Sequence, residues 1–257
     1  MDDRTVLVAD EFVTFGSMHF AALGAFAVGA VGMVLAGRHE RGADGKPLFG
    51  RVFAVLIPVV TVPLQIAQLL PSEWNFDTSL PLQLCDFAWI VATVALWTRR
   101  RWAVALTYFW GLTLTTQGLA TPDLGSNFPE PRFLMYWAMH LLIVWAALYL
   151  TFGLGLGPTW REYRISVLVT FVWAVAMFTF NVVTGANYGF LNRKPNDPSI
   201  LDVLGPWPLY VFVEIALVLA VWALMTWPWV AWQRRLRTLG RTDRTTAKRR
   251  PPWPSRH

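Results

Sequence analysis

The sequence predicts an all-α membrane protein: a bundle of seven transmembrane helices, N-terminus outside and C-terminus cytoplasmic. Three observations predict it. Apolar runs of membrane length recur seven times along the 257 residues. The composition, 55% hydrophobic and 15% charged with a mean hydropathy of +0.41, is too apolar for a soluble domain. Lys and Arg concentrate in alternate connections between the runs. At 1.5 Å per residue, a run of about 18–20 residues crosses a hydrocarbon core of about 30 Å.

The first segment, Phe15–Ala36, follows Asp2, Asp3, Asp10 and Glu11. That is the opposite of the basic start of a signal peptide, and the run is too long for its apolar core, so it reads as a span. The second, Val52–Leu70, carries Pro58 and Pro63, which remove backbone donors and are expected to kink it. The third, Leu80–Trp97, holds Cys85 and Asp86. The fourth, Trp102–Ala120, holds Thr113 and Gln117. The fifth, Phe133–Phe152, holds Tyr136 and His140. The sixth, Ile165–Gly185, ends with Asn181 and Thr184. The seventh, Pro206–Trp227, opens on prolines whose missing amide hydrogens cost little there, and carries Glu214. Pro, Asn and Asp in 72–79, 121–132 and 186–205 mark turns. Trp residues at segment ends form an interfacial belt.

Orientation follows from the basic residues. The stretches 38–51, 99–101 and 153–164 and the tail after Gln233 hold 18 of the 22 Lys and Arg. These connections are read as cytoplasmic. The chain divides into a membrane domain, 1–232, and a basic, disordered cytoplasmic tail, 233–257, suited to anionic lipid. The net charge of +6 is accounted for by this asymmetry and calls for no nucleic acid. The expected location is the cell membrane, with multiple passes. A single cysteine excludes an internal disulfide.

The functional signal is a set of polar side chains buried at one depth. His19, Gln65, Gln68, Cys85, Asp86, Gln117, His140, Asn181 and Glu214 come from seven segments and lie within about two helical turns of the outer face. Polar groups in hydrocarbon are costly, so they face one another or a wet cavity. Arg132, Tyr136 and His140 share a helix face at i, i+4, i+8, and Tyr210 and Glu214 form an i, i+4 pair. Cys85 and His140 together supply a nucleophile and a general base for acyl transfer. Gln117, Asn181 or Asn187 would donate to the oxyanion or orient the ring. Asp86 points about 100° away from Cys85 on a helix and is expected to pair with a cation or His19.

Several motifs carry a resemblance. Leu80-Pro-Leu-Gln-Leu-Cys85, Gln117-Gly-Leu-Ala-Thr-Pro-Asp123 and Arg132-Phe-x-x-Tyr-Trp-x-x-His140 resemble the YwaF-type integral membrane proteins. Asn181-x-x-x-Gly-x-Asn-Tyr188, Lys194-Pro195 and Leu204-Gly-Pro-Trp-Pro208 extend the match, which runs from about Gln65 to Glu214. A eukaryotic branch with this pattern consists of cysteine-dependent acyltransferases of ether-linked lysophospholipids. The resemblance implies Cys85 as acyl acceptor, His140 as acid and base, and membrane phospholipid or lysophospholipid as partner, without a cofactor. Many members carry histidine where this chain has Gln83.

Two other readings compete with this lipid acyltransferase or acyl hydrolase. One is a binding or transport protein for a small molecule or lipid, with the polar ring as pocket and Glu214 and Asp86 as proton carriers. The other is a metal-dependent lipid hydrolase using His19, His140, Asp86 and Glu214. Zinc sites of that kind usually want three nitrogen ligands, and only two histidines lie within the spans, so no metal is expected.

Overall fold

The structure, a computed structural model, describes residues 12–42, 48–71, 74–76, 79–122, 124, 127–195 and 199–248. The described residues are all helical or irregular, with no strand. Helices α1 (Ser17–Gly42), α2 (Leu48–Gln68), α6 (Pro131–Leu148), α7 (Trp160–Thr184) and α8 (Leu209–Lys248) are long and apolar enough to cross a membrane. In α8 the membrane-length part is Leu209–Arg235. Helix α3 (Leu84–Thr98) has 15 residues, about 22 Å, and is apolar but short. The remaining rod consists of α4 (Arg101–Phe109), a π-turn over Trp110–Thr115 and α5 (Thr116–Ala120). The seven expected segments thus correspond to five long helices, one short one and one interrupted rod.

Three of the differences from the expected segments have a clear local reason. Helix α3 begins at Leu84 rather than Leu80. Pro81 lies in the turn before it, and the Gln83 N–H donates to the Asp86 carboxylate at 2.8 Å, closing the first turn there. Cys85 therefore lies in the first turn of α3, nearer the helix end than a start at Leu80 implies. The fourth segment widens into a π-turn in the middle. Its loosened carbonyls are taken up by threonines: Thr113 Oγ1 donates to Phe109 O at 2.5 Å, and Thr116 Oγ1 donates to Leu112 O and Thr113 O, each at 2.9 Å. In the tail, α8 continues to Lys248, so 233–248 are helical where disorder was expected. Gln233, Arg234, Arg235 and Leu236 are good helix formers. Residues 249–257 lie outside the described residues.

Helix α6 is the hub. Of its membrane-length stretch 67% is buried, against 6–33% for the other four long helices. It packs on α1, α2, α3 and α4, and on the π-turn and α5. A second π-turn, Tyr149–Gly153, extends α6, and α1 crosses it closely. A Cβ at Gly37 would lie 2.7 Å from Gly153 Cα and 2.8 Å from Tyr149 O, so only glycine permits this approach. Helix α7 packs on α4 and α8, and α8 on α7 and the 3₁₀ turn Ile200–Leu204. Ion pairs join the basic ends of the helices: Arg99 with Glu40, and Arg101 with Glu162 at 3.2 Å.

Candidate functional site

Away from the basic loops, α3, α5, α6, α7, α8 and the stretches 187–195 and 199–201 enclose a cavity of about 850 Å³. Cys85, His140, Gln83, Gln117, Tyr136, Asn187 and Glu214 all line it, from elements far apart in sequence. Among the residues singled out for a site, Asn181 does not. Gln68 and Asp86 line the cavity too; His19 and Gln65 do not.

His140 is fixed by its own helix. Its Nδ1 lies 2.7 Å from Tyr136 O, which only a protonated Nδ1 satisfies by donation. The other nitrogen, Nε2, then carries the lone pair. The Tyr136 ring stacks on the imidazole, centroids 4.2 Å apart, and the Tyr136 hydroxyl donates to Gly118 O at 2.5 Å. Gly118 leaves room for this assembly: a Cβ there would lie 2.9 Å from His140 Nε2 and 3.1 Å from the Tyr136 hydroxyl. The π-turn before α5 sets where Gly118 and Gln117 face.

Cys85 lies in the first turn of α3, next to the Asp86 carboxylate that caps that turn. Gln83, two residues earlier, accepts the Gly189 N–H at 3.0 Å through Oε1. Its amide NH₂ has no partner among the described residues and is available to donate. Gly189 has φ +70°, and a Cβ there would meet the Trp173 ring at 2.5 Å. Glycine is thus required for the loop to reach Gln83. The Gln117 side chain likewise has no hydrogen-bond partner among the described residues.

Several expected roles are taken up by structure instead. Asn181 donates to Tyr188 O and Asn192 Oδ1, both at 2.9 Å, and accepts the Tyr188 N–H at 2.9 Å. It pins the 185–192 loop and has no amide hydrogen free for an oxyanion. Asn187 lines the cavity, but its NH₂ donates to Arg193 O at 2.8 Å and its Oδ1 accepts from Arg193 and Asn192. Asp86 caps α3 and bonds the Gln65 side chain, rather than pairing with His19 or a cation. His19 is fully buried elsewhere. Its Nδ1 accepts the Phe15 N–H at 2.8 Å and its Nε2 donates to Leu119 O at 2.9 Å. With both nitrogens used and no place on the cavity, His19 does not complete a metal set with His140. No group of three His, Cys, Asp or Glu suited to a metal occurs among the described residues.

The structure also brings in residues that the sequence did not single out. Thr115, Thr170, Arg193 and Lys194 line the cavity. Lys194 Nζ lies 3.4 Å from Asp202 Oδ1. The Ser199 N–H, and after it Lys194, hold the Asp202 carboxylate below its ordinary range. Trp110 and Trp222 close the deep end, their indole N–H groups bonded to Thr170 at 2.8 Å and Thr113 at 3.0 Å. The signal for Arg193 and Lys194 was present: they are basic residues on the basic-poor side.

Residues 14–226 match a family described as the TMEM164 family. No curated protein and no solved structure matches the chain.

Proposed function

Because the chain belongs to the TMEM164 family, a membrane protein family, and its one thiol and cavity-facing imidazole line a single pocket, we propose a lipid acyl transferase or hydrolase. The observation that carries the reading is the tautomer of His140, which lines the same pocket as Cys85: Nδ1 is occupied by Tyr136 O, leaving Nε2 as the base. The motifs shared with YwaF-type proteins and their ether-lysophospholipid acyltransferase branch point the same way.

In this reading His140 Nε2 takes the Cys85 thiol proton. The thiolate attacks the ester carbonyl of a phospholipid in the cell membrane, and the carbonyl π electrons move to oxygen. Gln83 and Gln117, whose amide NH₂ groups have no partners among the described residues, donate to that oxyanion. Collapse breaks the ester C–O bond, and the leaving alkoxide takes the proton from His140. A lysophospholipid hydroxyl, or water, then gives its proton to Nε2, attacks the thioester and regenerates the thiol. Asn181 has no part in this scheme.

The test is acyl transfer from phospholipid to lysophospholipid by the purified full-length protein in vesicles. Cys85→Ala is expected to reduce turnover to background, and His140→Gln to lower it by about 100-fold or more, with thermal unfolding unchanged. Undiminished turnover in Cys85→Ala ends the proposal.

A second reading has one observation in its favour. Glu214 lines the cavity with no hydrogen-bond partner among the described residues, as a proton carrier or counter-ion would. A binder or transporter keeps its ligand affinity or flux in Cys85→Ala and loses it in Glu214→Gln.

A further inference from the structure

Four basic residues lie outside the basic loops and tail: Arg4, Arg132, Arg193 and Lys194. Arg4 falls outside the described residues, and the other three all line this cavity. Membrane proteins tend to exclude Lys and Arg from that side, so retaining three at one mouth calls for a reason. Arg132 has a further cost. It is exposed in the first turn of α6, where the helix dipole disfavours a cation, and it has no ion-pair or hydrogen-bond partner among the described residues. Arg193 Nη1 donates to Gly185 O at 3.1 Å and Lys194 lies beside Asp202, while among the described residues Asp86 and Glu214 are the carboxylates that line the cavity.

Below the mouth the cavity is apolar and runs between two helices. On α7 it is lined by Val167, Phe171, Ala174 and Phe178, and on α8 by Val211, Ile215, Val218 and Trp222. Each set is one helical stripe spanning twelve residues, about 16 Å from end to end. The two helices run antiparallel, so the stripes face each other from the mouth down to the Trp222 floor. Phe171 and Ile215 line the cavity while 58% and 43% exposed, which means that its wall is open sideways, where acyl chains would surround a membrane protein.

We propose that the cavity is loaded laterally, through the gap between α7 and α8, by a single-chain amphiphile with a phosphate headgroup. Arg132, Arg193 and Lys194 hold the phosphate, and the chain lies in the α7–α8 slot with its end against Trp222. The assignment deepens the acyl-ester reading by naming the path and the charge of its lipid. The slot is on the basic-poor half of the bundle, so the amphiphile comes from the outer leaflet.

Binding is measured with full-length Cys85→Ala protein in detergent, by native mass spectrometry, which separates it from turnover. Three probes share parts: palmitoyl lysophosphatidylglycerol, monopalmitoylglycerol without the phosphate, and glycerol 3-phosphate without the chain. The first is expected to bind at least about tenfold more tightly than either of the others. The Arg132→Gln, Lys194→Gln double variant is expected to bring it down to the level of monopalmitoylglycerol, whose own binding is unchanged. Ala174→Trp and, separately, Val175→Trp, at a residue that lines the cavity while half exposed, are expected to weaken palmitoyl lysophosphatidylglycerol by about tenfold. Glycerol 3-phosphate binding as tightly as the lysolipid would make this a free-phosphate site and overturn the proposal. So would unchanged lysolipid binding in the double variant, or in both tryptophan variants. If binding behaves as expected while the wild-type chain transfers no acyl group, the acyl-ester reading falls and the amphiphile site stands.

Discussion

His140 and His19 show how little a residue type says by itself. Both are buried histidines near one end of a helix bundle. His19 spends both nitrogens on backbone groups, whereas His140 spends one and turns the other toward Gly118 and the cavity. The Arg132–Tyr136–His140 stripe was legible because i, i+4 spacing on one helix is local. Gly118 was not, because its meaning comes from a contact with His140 across helices. Gly118→Ala is therefore expected to displace the imidazole, reducing acyl transfer by at least about tenfold while costing under roughly 3 kcal/mol of stability. Thermal unfolding and turnover on the same preparation check this, and full activity in that variant would show that the close approach is not functional. Gln83 is a second residue whose part lies off its own helix. Gln83→Ala removes the acceptor for the Gly189 N–H and is expected to cost about 1 kcal/mol, measurable by chemical denaturation in detergent.

Among the elements, the apolar runs were readable wherever a helix was regular, and misread where the backbone was not. The π-turn at Trp110–Thr115 has no periodic signature, yet it determines how α5 presents Gln117 and Gly118 to the cavity. The start of α3 was set by the Gln83–Asp86 first turn rather than by hydropathy. The crossing of α1 over the Tyr149–Gly153 turn depends on paired glycines at 37 and 153. Gly37→Leu is expected to push α1 off α6 and lower stability by roughly 2–3 kcal/mol, since backbone atoms block the new side chain. The Cys85–His140 pocket, built without α1, is expected to keep binding palmitoyl lysophosphatidylglycerol. A thermal scan beside a binding titration separates the two effects.

For the whole molecule, the asymmetry of Lys and Arg predicts the topology in the bilayer. Helix order in space came from packing: α6 occupies the centre because its sides are buried by four neighbours, and α7 and α8 stand at one edge with a gap between them. The topology is checked with single cysteines in a Cys85→Ser background. Asn127→Cys is expected to react with a membrane-impermeant maleimide from outside the cell, and Arg234→Cys only after lysis. The opposite pattern would invert the bundle and move the cavity to the inner leaflet.

Hydropathy and charge determine the number of apolar segments, their rough limits and the side on which basic loops are expected, because each of these depends on residues adjacent in sequence. The same local spacing placed Tyr136 below Arg132 and His140 below Tyr136. Only the packing decided that Cys85, Gln83, Gln117, His140 and Glu214 share a cavity while Asn181 and His19 do not. That division depends on which hydrogen-bonding atoms remain unpaired once the helices meet, a quantity that no single segment contains.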